Sequence, residues 1–278
     1  MNISISNIAW DVAEDQAMAE LFKRFGIGAI DIAPGKYFPD PVDARDSDIL
    51  RIRNAWGDRG IQIIGMQALL FGTSGLNVFG TPKSRESMLE HLKGVCSIGA
   101  GLGATRLVFG SPKNRDRSGL DDQQALDLSV SFFQELGAIA KHAGVEINLE
   151  PNPAHYGANF MTTSEETARI VREVSHPAVK MQFDTGSLAI NGEDPEHVLR
   201  EHGAIIGHVH ISEPDLLPLG DGTTSHQAMS AAIRKHLALD WVTIETLATA
   251  VEPHIVSVER SLKVAIEHYR GSTTGERE

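Results

Sequence analysis

From residue 3 to about residue 270 the chain alternates short, β-branched apolar runs with longer amphipathic stretches, eight times over. The runs are ISISNIAW (3–10), AIDIAP (29–34), IQIIGMQALL (61–70), TRLVFGSP (105–112), EINLEP (146–151), VKMQFDTG (179–186), IIGHVHISEP (205–214) and WVTIETL (241–247). Helical patterns separate them, several closed by a glycine: Gly26, Gly60, Gly144, and Gly99, Gly101 and Gly103 at the exit of a long helix over 83–104. The stretch from Ser164 opens as a capping box with Glu165 and Glu166 in its first turn, and Pro195 opens a short helix before the seventh run. A strand followed each time by a helix returns parallel to its predecessor. Eight such units without a composition break predict an α/β chain folded as a single (β/α)8 TIM barrel over 1–270. The alternative is an open doubly wound sheet. The polar segment 271–278, GSTTGERE, is expected to be a disordered tail.

Composition narrows the function classes. With 37 acidic against 25 basic residues the net charge is −12, and Lys and Arg are scattered, so no basic stripe for a phosphate backbone is present. Nucleic acid is not an expected partner. One cysteine, Cys96, leaves no intramolecular disulfide to form. No run of about 18 apolar residues exists to span a membrane, and MNISISNIAWDVAED lacks the basic and apolar regions of a signal peptide. The expectation is a cytoplasmic enzyme or binding protein. No Gly-rich dinucleotide fingerprint or P-loop follows any strand.

Four of the last runs end on a chemical side chain: Glu150, Asp184, His210 and Glu245. Within the strands, side chains alternate between faces. Val145, Ile147 and Leu149 then share one face, and Glu146, Asn148 and Glu150 the other. The same alternation sets Val179, Met181 and Phe183 against Lys180, Gln182 and Asp184, Val209 against His208 and His210, and Val242 and Ile244 against Trp241, Thr243 and Glu245. The four chemical residues therefore point into the barrel at its C-terminal end, where barrel enzymes place their chemistry. Three carboxylates and one imidazole form an oxygen-rich set for one divalent cation. Two positions earlier, Asn148, Gln182, His208 and Thr243 are all polar and inward. Such residues suit a supporting layer that orients the ligands. One layer deeper, Glu146 and Lys180 on adjacent strands are suited to neutralise each other.

Loop residues complete the candidate pocket. Asn152, after the first glutamate, is suited to bond a substrate hydroxyl, or to a Pro-flanked turn. His155, Tyr156 and Asn159 lie on the same loop. Trp10 is placed to floor the pocket or to fill the core. Lys36, and Lys113 or Arg115, are candidates for holding a phosphate or carboxylate, or are solvated loop cations. Glu213 closely follows the metal histidine and can supply a further polar contact.

Over nearly its whole length the chain resembles the xylose-isomerase-like sugar isomerase/epimerase superfamily. It is nearest the branch of ketose 3-epimerases, hydroxypyruvate isomerases and inosose dehydratases. LEPN with Glu150, FDTG with Asp184, GHVHISE with His210 and TIET with Glu245 carry the resemblance. It implies a metal site of those four residues binding Mn²⁺, with Mg²⁺, Co²⁺ or Zn²⁺ as alternatives. It also implies Glu150 and Glu245 as acid/base catalysts moving a proton through a metal-chelated enediolate. The implied substrate is a small carbohydrate, and barrels of this kind often form homodimers. The implied reaction is isomerisation or epimerisation of a sugar or sugar derivative, with dehydration of a keto-polyol as the alternative. A trinuclear zinc nuclease site, found in another branch, lacks its early ligands, since strands one to four end in Trp10, Ala33, Gln67 and Gly110. Two departures bear on substrate. Ser187 stands where ketose epimerases carry a substrate-contacting histidine, and Leu216 where they carry an arginine. The glutamate common at the end of the second strand is replaced by Ala33 and Pro34.

Overall fold

The computed structural model describes residues 1–271. Eight parallel strands, β1 (Asn2–Ser6), β2 (Ala29–Ile32), β3 (Gln62–Met66), β4 (Arg106–Phe109), β5 (Glu146–Leu149), β6 (Val179–Asp184), β7 (Ile206–Ser212) and β8 (Trp241–Glu245), pair in sequence order and close when β8 pairs with β1. Closure disposes of both sheet edges and excludes the open doubly wound alternative. The outer ring comprises α1 (Asp15–Phe25), α2 (Asp46–Gly57), α3 (Pro82–Leu102), α4 (Asp122–Ala143), α5 (Ser164–Val174), α6 (Thr185–Asn191), α7 (Pro195–His202), α8 (His226–His236) and α9 (His254–Tyr269). The tail expected at 271–278 lies, from residue 272 on, outside the described residues.

Packing follows the alternation of the strands. Met66 and Leu107 face α3 at Gly99, and Val179 faces α4 at Gly137, so the apolar face lies under the helices. The opposite face is buried too, but it is polar: Ser4, Asp31, Asn148, Gln182, His208, His210 and Thr243 all point into the barrel. An interior of this kind holds only if its polar groups find partners, which is why it contains the chemistry.

Several local expectations change. The strands are shorter than the apolar runs, because the ends of β1 and β2 turn into 3₁₀ segments at Asn7–Ala9 and Pro34–Lys36. Gly99 and Gly101 lie inside α3, where they admit Leu107 and Ile49, and only Gly103 ends the helix, at φ 83°. The cap of α5 is Thr163, whose hydroxyl accepts from the Glu166 amide, rather than Ser164. Between β6 and β7 stand two helices, since α6 begins directly after Asp184, which caps it. Lys180 lies opposite Asn148 in the register, and no ion pair joins it to Glu146. Among the described residues no helix is long and apolar enough to cross a membrane.

Candidate metal centre

Glu150, Asp184, His210 and Glu245 converge at the C-terminal mouth, each offering an atom within 4.8 Å of the others. His210 is the hub. Its Nδ1 lies 3.2 Å from Glu245 Oε2 and 3.6 Å from Glu150 Oε1. The two glutamates are held in the same manner. The Asn152 amide donates to Glu150 Oε2 at 3.0 Å, and the Gln67 amide donates to Glu245 Oε1 at 2.7 Å. Each carboxylate thus has one oxygen fixed by an amide and the other turned to the shared imidazole. Asp184 is fixed on both oxygens, by the Ser187 amide at 2.7 Å and the Ser212 hydroxyl at 2.7 Å. Glycine makes room for this packing: a Cβ at Gly110 would stand 2.0 Å from Glu150 Oε2.

Behind His210 lies a buried acid. Asp31 Oδ2 is 2.7 Å from His208 Nε2 and 3.8 Å from His210 Nε2. Burial pushes the Asp31 carboxyl up, but the His208 charge and hydrogen bond, with the nearby His210, hold it well below the usual carboxylate range. Burial in turn lowers His208, against the charge and hydrogen bond of Asp31, which act to raise it. For His210, burial acts downward. The Glu245 charge and the closeness of Asp31, Glu150 and Glu245 outweigh it and raise the imidazole well above its ordinary value. Asp184 is pushed up to about 7, first by burial and then by the charges of Glu245 and Glu150.

These properties fit a divalent cation. Three buried carboxylates crowd one imidazole, and burial together with the charges of Glu245 and Glu150 pushes the Asp184 carboxyl up. Glu150 Oε1 and His210 Nε2 make no hydrogen bond among the described residues. A cation held by Glu150, Asp184, His210 and Glu245 would neutralise the cluster, and hard oxygen donors with one imidazole suit Mg²⁺, Mn²⁺ or Zn²⁺.

The expected supporting layer is only partly of that kind. His208 reaches His210 through Asp31, and Thr243 braces His208 at 3.3 Å while bonding Ser4 at 2.6 Å. With its amide turned so that both ends find a partner, Gln182 acts on the main chain of β7, donating to His208 O at 3.3 Å and accepting from His210 N at 3.1 Å. The Asn148 amide makes no hydrogen bond among the described residues. Three residues that do hold ligands, Asp31, Gln67 and Ser212, were not among those singled out for that role. The strand alternation that selected the others marks Asp31 and Ser212 as inward too.

Above the ligands opens a cavity of about 660 Å³, lined by Asn152, Ser187, Lys36 and Tyr156 among others. Trp10 is not there. It is fully buried between Phe22 and Trp56 and donates to Asp15, so it fills the core beneath α1 and α2. Glu213 is also turned away. It accepts from the Gly220 and Thr224 amides and contacts His226, which anchors the loop after β7. His155 faces solvent against Asp215, and Asn159 binds Asp116 and the Arg117 amide. Arg115 is no phosphate clamp. It is fully buried and donates to the Glu150 carbonyl at 2.7 Å, fixing the backbone of a ligand. Lys36 reaches the cavity wall, but its ammonium donates to the carbonyls of Asn7 at 2.7 Å and Trp10 at 2.5 Å.

A family model described as "Xylose isomerase-like TIM barrel" matches residues 19–270, and the chain belongs to that family. Among relatives, an inosose dehydratase of Geobacillus thermodenitrificans is 24% identical over 222 residues, which are 76% of this chain and 67% of that enzyme. Other inosose dehydratases match over about half of their own length or less. Among solved structures, the D-psicose 3-epimerase of Clostridium cellulolyticum H10 with D-tagatose superposes with a TM-score of 0.78 at 19% identity, covering 96% of this chain and 97% of that one. The IOLI protein with a bound zinc atom superposes with a TM-score of 0.74 at 19% identity, over 98% and 100% of the two chains. These structures share the fold.

Proposed function

We propose that this member of the xylose isomerase-like TIM-barrel family is a divalent-metal-dependent isomerase or epimerase of a sugar or sugar derivative. The observation that carries the reading is the matched pair of glutamates, each with one oxygen held by an amide and one facing His210 Nδ1. When bound, the cation supplies Lewis-acid stabilisation of the negative charge that develops as a proton leaves carbon beside a carbonyl. The chain supplies the proton transfer. One glutamate removes the proton from the substrate carbon, and the other, in its acid form, returns one to the opposite face or to the neighbouring carbon. Asn152 and Gln67 keep the two carboxylates from rotating between these events. Arg115 fixes the strand end that carries Glu150, and Asp31 orients His210. Mn²⁺ is the proposed resident ion, because three carboxylates and one imidazole lean toward a hard cation. The zinc atom of the IOLI protein makes Zn²⁺ the first competitor to test.

The names of the relatives favour a second reading, dehydration of a keto-polyol. The same proton leaves, and the second glutamate protonates a departing β-hydroxyl instead of carbon. Proton NMR of the Mn²⁺-loaded protein in D₂O, with a panel of ketoses and keto-polyols, tests both. Deuterium in an isomeric sugar supports the first reading and a deoxy-keto product the second. Absence of any deuterium incorporation or product across the panel overturns both.

A further inference from the structure

A cavity that takes up a polyhydroxylated substrate needs hydrogen-bond donors that the protein has not already used. Among the side chains lining the cavity over the four candidate ligands, most donors are committed. The Gln67 amide donates to Glu245, the Asn152 amide to Glu150 and the Pro151 carbonyl, the Ser111 hydroxyl to Asn114, and the Lys36 ammonium to the Asn7 and Trp10 carbonyls. Two hydroxyls, those of Tyr156 and Ser187, donate to no acceptor among the described residues. Of the two, the Tyr156 oxygen is itself anchored by the protein. We propose that the Tyr156 hydroxyl donates a hydrogen bond to a hydroxyl oxygen of the substrate and is a specificity-determining residue of this centre. The proposal deepens the reading of the cavity as a sugar site and rests on it.

The local sequence builds the donor. Pro153 precedes a 3₁₀ turn over Ala154–Tyr156, the Tyr156 amide donates to the Pro153 carbonyl at 2.9 Å, and Gly157 closes the turn at φ 77°. The ring leaves the last residue of this turn and lines the cavity. The loop after β7 meets it there. The Asp215 amide donates to Tyr156 Oη at 2.9 Å, which occupies one lone pair and leaves the phenol proton for another acceptor. A strained turn aims that amide. Asp215 and Leu216 stand in succession at φ 59° and 53°, a left-handed region that a branched side chain such as leucine rarely enters. The Leu216 amide donates to the Glu213 carbonyl at 3.0 Å, and its carbonyl accepts from the Leu247 amide at 2.9 Å and the Thr246 hydroxyl at 3.0 Å. Backbone held in this region clusters at ligand sites. The hydroxyl also keeps its proton. Burial, with the charges of Asp184, Asp215 and Glu245, outweighs the Asp215 amide and pushes its pKa up to about 12. Two of those charges belong to candidate ligands, so the phenol stands within their field. A donor placed in this way loses water when the substrate enters, and an analogue lacking the matching hydroxyl leaves it unpaired.

Calorimetric titration of the Mn²⁺-loaded protein with D-fructose, L-sorbose and an inosose, in the wild type and in Tyr156→Phe, tests this. The variant keeps the ring and removes the hydroxyl. Affinity for at least one of these sugars is expected to fall by about tenfold, with Mn²⁺ affinity unchanged and circular dichroism verifying the fold. A role confined to bracing the turn would give the same loss, so the comparison is repeated in Asp215→Gly. Glycine takes φ 59° without strain and holds the turn with or without the phenol. The exposed contact with His155 that it removes is worth little. The tenfold ratio is expected to persist between Asp215→Gly and the double variant Asp215→Gly/Tyr156→Phe. Sugar affinities equal to wild type in Tyr156→Phe, an equal fall in Mn²⁺ affinity, or a ratio near unity in the glycine background overturns the proposal and leaves the sugar reading standing. No measurable binding of any of the three sugars by the wild type overturns it as well, and the deuterium experiment then decides separately whether the sugar reading survives.

Discussion

Asp31 on β2 accepts a 2.7 Å hydrogen bond from His208 on β7, both side chains fully buried inside the barrel. The same carboxylate stands 3.8 Å from His210 Nε2, so one acid from the first half of the chain backs the imidazole at the centre of the site. Carboxylates behind a ligating histidine fix its ring and raise its basicity.

Asp31→Asn keeps the volume and removes the charge. Mn²⁺ affinity is expected to fall by about 10–100-fold, read by calorimetry, with circular dichroism verifying the fold. An unchanged affinity would show that His210 needs no such backing.

Glu245→Gln retains an oxygen donor and the Gln67 neighbour but cannot accept a proton. Turnover is expected to drop by roughly 10²–10⁴-fold, while Mn²⁺ affinity falls far less. Full activity in this variant would dismiss Glu245 as a proton carrier.

Added Mn²⁺ is expected to raise the melting temperature, by about 2.7 kcal/mol of stability at roughly 100 times Kd, and to do so more at pH 8 than at pH 6. Asp184 is the reason, since its carboxyl is pushed up to about 7 from 3.8. A carboxyl raised on folding stabilises the metal-free protein below its unfolded value. That contribution is lost as pH rises toward 7, where the ionised form becomes available to a cation. Scanning fluorimetry with and without EDTA at both pH values measures this, and an equal shift at the two would contradict it.

Glu213 gives the opposite dependence. Burial raises its pKa, but bonds from His226 and from the Thr224 and Gly220 amides outweigh it and hold the group down to about 2, against 4.5 ordinarily. Its stabilisation is complete above pH 4.5 and drains away as pH falls toward 2. The loss is on the order of 3 kcal/mol for this 1%-exposed side chain. Glu213→Gln should flatten urea-denaturation stability across that interval; a slope equal to wild type would assign the acid sensitivity elsewhere.

Much of this was legible in the sequence. The eightfold alternation gave the barrel, because a strand–helix repeat has few ways to bury both faces of a parallel sheet. Period-two spacing carried Glu150, Asp184, His210 and Glu245 to one end of the interior. It was less informative about what each polar neighbour touches. Gln67 lies beyond the end of β3 and finds Glu245 only because closure brings β8 round to β1. Arg115 reads as a surface cation until the loop after β4 folds it beneath β5. Trp10 and Glu213 stand next to strand ends, yet the 3₁₀ turn after β1 sends one into the core, and the 214–225 loop captures the other. Turns of this kind depend on tertiary partners that periodicity does not contain.

The partition of labour between the halves of the chain has an evolutionary corollary. Every candidate donor lies between residues 150 and 245, whereas Asp31, Gln67 and Arg115, which steady three of them, come from before residue 144. A duplicated half-barrel built from the later segment would inherit the donors and the Asn152, Ser187 and Ser212 contacts, but not the restraints from Asp31, Gln67 and Arg115. In this lineage, drift in the amino-terminal half is therefore a means of retuning the catalytic centre while its donor residues stay the same.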